Sequence, residues 1–112
     1  QARLIQQALH HVIFYMSAVD EVIANLVPAV EQLIIHLELS DQTQALAFFQ
    51  QVRHHLDLVQ GEEQLLELFM VLSTTAFQGF QLDPMGSMLA DHILEYAEQV
   101  AHTFSASDAT AH

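Results

Sequence analysis

The chain has 112 residues, 52% of them hydrophobic, and a formal charge of −12, because 14 Asp and Glu residues oppose only two fixed cations, Arg3 and Arg53. Nucleic acid and anionic membrane surfaces are disfavoured as partners, because binding to either requires clusters of Lys or Arg. The absence of cysteine excludes disulfides and thiolate metal sites, and the hydrophobic content is too high for a disordered chain.

Residues 2–39 are predicted to form a long first helix. Alternating steps of four and three residues from Ile5 reach an apolar side chain each time, which is a heptad seam. The seam consists of Ile5, Leu9, Val12, Met16, Val19, Ile23, Leu26, Val30, Leu33 and Leu37. A second apolar side carries Ile13, Phe14, Tyr15, Val22, Val27, Ile34 and Ile35. A helix with two apolar faces is normally covered on both.

Pro28 interrupts this pattern. A proline inside a helix removes one backbone hydrogen bond, here to the carbonyl of Ala24, and disfavours helical angles at Val27. The sequence therefore predicts a kink or a break at about residues 24–28 of the first helix.

Two further helices are predicted before residue 79. The second helix spans about 42–59, starts at a capping-box pattern formed by Asp41 and Gln44, and ends at Gly61. Its apolar stripe is Ala45, Phe49, Val52, Leu56 and Val59. The third helix follows Glu62 and Glu63 and contains the run 65–72, LLELFMVL, which is apolar on nearly every side. Such a helix is expected to be central.

A connection is predicted at 79–86, and Asp83 and Pro84 indicate the start of a fourth helix over 84–105. Its apolar side carries Met85, Leu89, Ile93, Tyr96, Val100 and Phe104. The fold expected is therefore all-α, a small bundle of about four helices with a long, Pro-kinked first helix. We expect residues 1–104 to form one helical domain and 105–112 to form a flexible C-terminal tail.

No chemistry-bearing motif stands out. The eight histidines include no pair three or four residues apart, the spacing that places two metal ligands on one helix face. Phosphate-binding glycine motifs and a nucleophile elbow are absent from the sequence. We therefore expect no catalytic, cofactor or metal site. Asp91, Glu95, Glu98 and His102 share one side of the fourth helix, which is interpreted as a solvated face, with a cation site or a docking strip for a basic partner as alternatives.

The leading hypothesis is a non-enzymatic protein–protein interaction module, such as a regulator, antiactivator, chaperone or adaptor. It would dock an apolar helix face on a partner protein. The hydrophobic content is high for a chain of this length, which limits how much it can bury alone. This favours a homodimer whose first helix supplies the interface. The interface residues predicted are Ile5, Leu9, Val12, Ile13, Met16, Val19, Val22 and Ile23.

Two alternatives belong to other classes. One is a helical bundle that binds a small ligand or a metal between its helices, in a pocket lined by Phe and Met and gated by histidine. The other is a DNA mimic, which is disfavoured because 14 acids in a chain this apolar are too dilute. A cytoplasmic location is expected, since no secretory leader and no uninterrupted apolar run of membrane-spanning length is visible.

Overall fold

The computed structural model describes the backbone of residues 17–110 and the side chains of these residues except 76–77 and 105–110. It contains four α-helices: α1 (Ala18–Leu39), α2 (Thr43–Leu58), α3 (Glu62–Ser73) and α4 (Pro84–Thr110). A 3-10 turn at Thr74–Phe77 follows α3. No strand occurs within this range, and the prediction of an all-α fold with four helices is confirmed.

Helix α1 begins later than the sequence predicts. Ser17 has extended backbone angles, and its side-chain oxygen accepts a hydrogen bond from the Asp20 amide at 3.1 Å. Asp20 and Glu21 place negative charge in the first turn, which the helix dipole favours. A continuous helix over 2–39 is therefore wrong at Ser17. The apolar seam passes this serine from Met16 to Val19 without a gap, so the periodicity alone does not reveal its capping role.

Pro28 lies inside α1, which continues on both sides of it to Leu39. The predicted break at 24–28 is therefore wrong, whereas the predicted kink stays a prediction. The proline ring is exposed.

The turn between α1 and α2 is a Schellman motif rather than a capping box. Asp41 adopts a left-handed conformation with φ 56°, and the Gln42 amide donates to the Leu37 carbonyl at 3.1 Å. Gln42 is the residue that precedes α2, and no side chain caps that helix. Asp41 thus serves to end α1, so the predicted capping box with Gln44 does not form.

Gly61 also has a different role from the one predicted. Helix α2 ends at Leu58, with Val59 as its capping residue. Gly61 instead precedes α3 in an extended conformation, and its carbonyl accepts a hydrogen bond from the Leu65 amide at 3.2 Å. A glycine between two helices can serve either one, and the sequence pattern does not distinguish them.

The helices form a bundle in which α1 packs against α2 and α4, and α3 packs against the same two helices. The core is almost wholly aliphatic, and Phe49 is fully buried in it. The buried apolar residues are Val22, Leu26, Val30, Leu33, Leu37, Ala45, Phe49, Val52, Leu56, Leu65, Leu68, Phe69, Leu72, Ala90, Ile93 and Ala97. The predicted stripe of the second helix is confirmed, with Val59 partly buried at its end.

Helix α3 is buried along one side only. Its buried residues are Leu65, Leu68, Phe69 and Leu72, while Met70 is 70% exposed. The expectation of a central third helix is therefore wrong, because α3 lies beside α2 and α4 and leaves one face outside.

Helix α4 starts at Pro84, as predicted, and runs to Thr110. Ile93 lies in the core together with Ala90 and Ala97, whose small side chains allow close packing. Leu89, Tyr96, Val100 and Phe104 pack against the core, whereas Met85 is half exposed. Helical backbone does not measure mobility, so the flexible tail at 105–112 stays a prediction.

Candidate interaction surface

Two side-chain contacts align α1 antiparallel to α4. Asn25 donates from Nδ2 to the Tyr96 hydroxyl oxygen at 2.9 Å, and His36 Nε2 lies 2.9 Å from the Asp83 carboxylate. Residue numbers rise along α1 as they fall along α4 between these contacts. The C-terminal end of α1 therefore meets the N-terminal end of α4, and the start of α1 lies level with the end of α4.

Asp83 is the centre of a small polar cluster at the first of these ends. Its Oδ1 accepts the Gly86 amide at 2.7 Å, which caps α4, and both its carboxylate oxygens contact His36 Nε2. The His36 hydrogen bond, followed by the Gly86 amide, holds the pKa of Asp83 below its ordinary value. The cluster ties the last turn of α1 to the first turn of α4.

Large apolar side chains remain exposed at the same end. On α1, Leu39 is 82% exposed and Ile35 is more than half exposed; on α4, Met85 and Met88 are each at least half exposed. We call these four residues the apolar end surface. Leu58 and Met70 are also exposed, but they lie on α2 and α3. Ile35 and Leu39 lie within one turn of His36, and Met85 and Met88 lie within two turns of Asp83, which His36 contacts. Exposed apolar side chains at one end of a bundle are typical of a binding surface.

The predicted interface residues fall in different places. Val19 and Ile23 are partly buried against the core, and Val22 is only 6% exposed within it. Ile5, Leu9, Val12, Ile13 and Met16 lie outside the described residues. From Leu26 onwards, the residues of the heptad seam are buried in the protein's own core.

None of the four residues of the apolar end surface is among the predicted interface residues. Ile35 had been placed on the second apolar side of the first helix, and Met85 on the apolar side of the fourth. The signal that could have found the surface is the position of these residues near helix ends, where fewer neighbouring side chains are available to cover them.

A groove of about 450 Å³ lies between α3 and α4. Most of its wall is apolar, with Glu98 as the charged residue in the lining. The lining consists of Phe69, Leu72 and Ser73 from α3 and Leu94, Ala97, Glu98 and Ala101 from α4. We call it the α3/α4 groove. It lies near the end of the bundle at which α1 starts, because Asn25 contacts α4 at Tyr96, level with the groove.

Acidic and histidine side chains line two shallow hollows on the outer side of α4. One hollow contains Asp91, His92 and Glu95, and the other contains Glu95, Glu98 and His102. Among residues 17–110, no three His, Asp or Glu side chains come together as metal ligands would. Asp91, Glu95, Glu98 and His102 are all exposed, as expected of a solvated outer face.

Arg53 links α1 to α2. Its guanidinium donates to Glu31 of α1 at 3.1 Å and to Asp57 of its own helix at 2.7 Å. The hydrogen bond with Asp57, followed by that with Glu31, raises the pKa of Arg53 above its ordinary value. This fixed cation is therefore engaged within the bundle.

Helix α1 is long and apolar enough to cross a membrane, judged by length and composition. The core helix of a soluble protein passes the same test, and α1 buries Leu26, Val30 and Leu33 against its neighbours. This is weak evidence for a membrane span. The expectation that the protein has no membrane partner stays a prediction.

Comparison of the chain with protein-family models, with curated proteins and with solved structures found no match. The apolar end surface and the α3/α4 groove are therefore the features from which a function can be inferred.

Proposed function

We propose that this protein is a non-enzymatic interaction module that docks an apolar helix surface on a partner protein. The observation that carries the proposal is the apolar end surface, where Ile35, Leu39, Met85 and Met88 remain exposed after the bundle has formed its core. Burial of one such side chain contributes roughly 1.5–3 kcal/mol. Several together can offset the entropy lost on association. Methionine also adapts its shape to different partners.

Charge supports the same proposal. With a formal charge of −12, the free protein repels its own copies at long range and stays in solution. Glu38 and Asp41 are exposed next to Leu39, and Asp91 is exposed one turn beyond Met88. A partner whose apolar patch has a basic rim would be attracted to this end of the bundle. A cytoplasmic location remains part of the proposal.

Homodimerisation through the first part of the chain is the second element of the proposal. A two-fold dimer uses the same patch on both copies, and the predicted residues are Ile5, Leu9, Val12, Ile13, Met16, Val19, Val22 and Ile23. Val22 already packs inside the core. The other residues of the set are therefore the ones that a second copy would contact directly.

The test compares two double variants of the full chain. Leu39→Gln with Met85→Gln alters the apolar end surface, and Leu58→Gln with Met70→Gln alters exposed apolar residues elsewhere as a matched control. Circular dichroism checks the fold, light scattering gives the native mass, and affinity capture from the native host followed by mass spectrometry identifies partners. We expect a heterologous partner that binds the parent and the control but is lost with the first variant. Equal capture by all three proteins would contradict the proposed surface.

A small-ligand bundle is the second candidate, and the α3/α4 groove favours it. Its volume of about 450 Å³ lies within the range of roughly 300–1,000 Å³ found for ligand pockets. Phe69 lines the groove, but neither methionine nor histidine is in its lining, so an apolar ligand fits better than a metal. Mass spectrometry of solvent extracts from protein purified without a histidine tag would reveal such a ligand. Its absence would remove this candidate.

A further inference from the structure

We propose that the α3/α4 groove receives residues 2–16 of a second copy of this chain, so that each copy of the dimer inserts its N-terminal segment into the other. The inference rests on the proposed homodimer and names the surface on which its predicted interface residues dock. Three independent features of the chain support it: charge, pattern and path.

The charge distribution divides the chain sharply at Ser17. All 14 acidic residues follow it, whereas residues 1–16 contain no acid and carry Arg3, His10 and His11. The first 16 residues therefore have a formal charge of +1 and the remainder −13, which together give the total of −12. Glu98 lines the groove, and Glu95 is exposed one turn before it on α4. The acid-free segment matches this acidic rim.

The pattern and length of the segment match the groove as well. From Leu94 to Ala101, the α4 wall extends over seven residue steps, or about 10.5 Å, which is about two helical turns. Ile5, Leu9 and Val12 repeat at intervals of four and three residues, the spacing of one apolar helix stripe over the same two turns. Leu94 and Ala101 are partly exposed and offer the apolar wall that such a stripe would cover. The buried Phe69, Leu72 and Ala97 line the floor of the groove.

The path of the chain favours a second copy over the same copy. Tyr96 faces α1, as its hydrogen bond with Asn25 establishes, whereas Leu94 and Ala101 face the groove. At about 100° per residue, these two directions differ by about 140–160° around α4. The shorter way between them passes through the core side of α4, where Ile93 and Ala97 are buried. A segment leaving α1 at Ser17 would therefore travel the longer way, about 200–220° or roughly 20 Å around α4, to reach its own groove, which takes about six extended residues.

Those residues would include Val12, Ile13, Phe14, Tyr15 and Met16, the most apolar part of the segment. They would have to lie across the exposed outer side of α4, where Glu95, Gln99 and His102 face solvent. Apolar side chains on a charged surface gain little burial. Insertion into a neighbouring copy avoids this path and leaves Val12 and Met16 free to join the interface.

Because the natural chain has no cysteine, introduced cysteines report proximity without background. Leu9→Cys is mixed with Ala101→Cys, and separately with Ser73→Cys, so that both walls of the groove are probed in the full-length protein. Leu9→Cys mixed with Gln51→Cys, at an exposed position of α2, is the control. We expect at least about tenfold faster formation of the disulfide-linked mixed dimer with the groove variants than with the control, as a high effective concentration requires.

A second measurement reads the charge match in dimers without cysteine. Glu98→Arg should weaken dimerisation by up to about tenfold. The variant removes two exposed ion pairs per dimer, each worth up to about 1 kcal/mol, and salt screening reduces their combined effect. Adding Arg3→Glu to the same chain should restore the parent affinity. Failure of this rescue, with both proteins folded, would overturn the electrostatic match.

The outcomes separate this inference from the proposed dimer. If the double variant Leu9→Cys with Ala101→Cys links only within single chains, the groove assignment is wrong and the dimer stands. The same conclusion follows if no groove variant links faster than the control while light scattering still gives a dimer. If the parent is monomeric at tens of micromolar, the homodimer and this inference both fail.

Discussion

His36 Nε2 lies 2.9 Å from each carboxylate oxygen of Asp83, so one imidazole of α1 holds the residue that caps α4. The two residues are 47 positions apart in the chain. Asp83 simultaneously accepts the Gly86 amide, so the pair joins the cap of α4 to the last turn of α1. The apolar end surface lies around this junction, so its shape depends on the pair.

The Asp83 contact should make stability depend on pH in the acid range. Since the pKa of Asp83 is lowered in the folded protein, the unfolded chain binds a proton first as pH falls. The stabilisation is therefore present at neutral pH and is lost as pH drops through the ordinary range of an aspartate to the folded value. Asp83→Asn should be less stable than the parent at about pH 5, and the difference should shrink towards about pH 2.

Urea unfolding followed by circular dichroism at several pH values measures this difference. The series runs from about pH 5 to about pH 2. Asp91→Asn, at an exposed position of α4, serves as the control. A gap between parent and Asp83→Asn that stays constant across this range would contradict the prediction.

Gly86→Ala should destabilise the protein although alanine is the better helix former. A Cβ at this position would lie 2.7 Å from Asp83 Oδ1 and 3.5 Å from His36 Cδ2. Asp83 would have to move, and its hydrogen bond that caps α4 would be lost. Such a cap is worth about 1 kcal/mol. This loss and the disturbed contact with His36 should exceed the gain of about 0.8–1 kcal/mol in helix propensity.

Gly61→Ala is the matched control for the glycine experiment. The nearest atom to its added Cβ is Gln64 Oε1 at 3.5 Å, at the end of a flexible side chain. Thermal unfolding should show only a small change for this variant. A Gly86→Ala protein with a Tm above that of the parent would show that Asp83 shifts without cost.

Two leucines of α1 should respond in opposite ways to truncation. Leu33 is fully buried and Leu39 is 82% exposed. Leu33→Ala removes packed atoms and leaves a cavity, at a cost of about 2–5 kcal/mol of unfolding free energy, whereas Leu39→Ala should change it by no more than about 0.5 kcal/mol. Chemical denaturation of both variants measures the contrast. Similar losses at the two positions would contradict the burial pattern of α1.

Pro28→Ala should stabilise the protein. The proline is exposed inside a continuous helix, and it cannot donate the backbone hydrogen bond that another residue would donate to Ala24. Replacing it recovers up to about 3 kcal/mol, provided that the backbone keeps its course. Increased helical circular dichroism and a higher Tm are expected. Lower stability would indicate that the packing of α1 on α2 and α4 requires a bend at the proline.

The sequence by itself determined the helical class, the end of α1, the start of α4 and most of the buried residues of α2. These properties are local: an apolar side chain repeats with the helical period, and Asp83 and Pro84 carry a helix-start signal within a few residues. The same periodicity predicted the α2 stripe from Ala45 to Leu56, which the structure confirms.

Only the tertiary structure decided which apolar face each helix buries. Residues 19–37 of α1 have two apolar sides. Packing against α2 and α4 buries Val22 and the seam residues from Leu26 onwards. Asp41 ends α1 rather than starting α2. Its left-handed backbone angles allow the Asp41 and Gln42 amides to donate hydrogen bonds to carbonyls of α1. The contact of His36 with Asp83 and the exposure of Leu39 depend on which helices become neighbours. That choice is made by side chains distant in sequence, so no local pattern contains it.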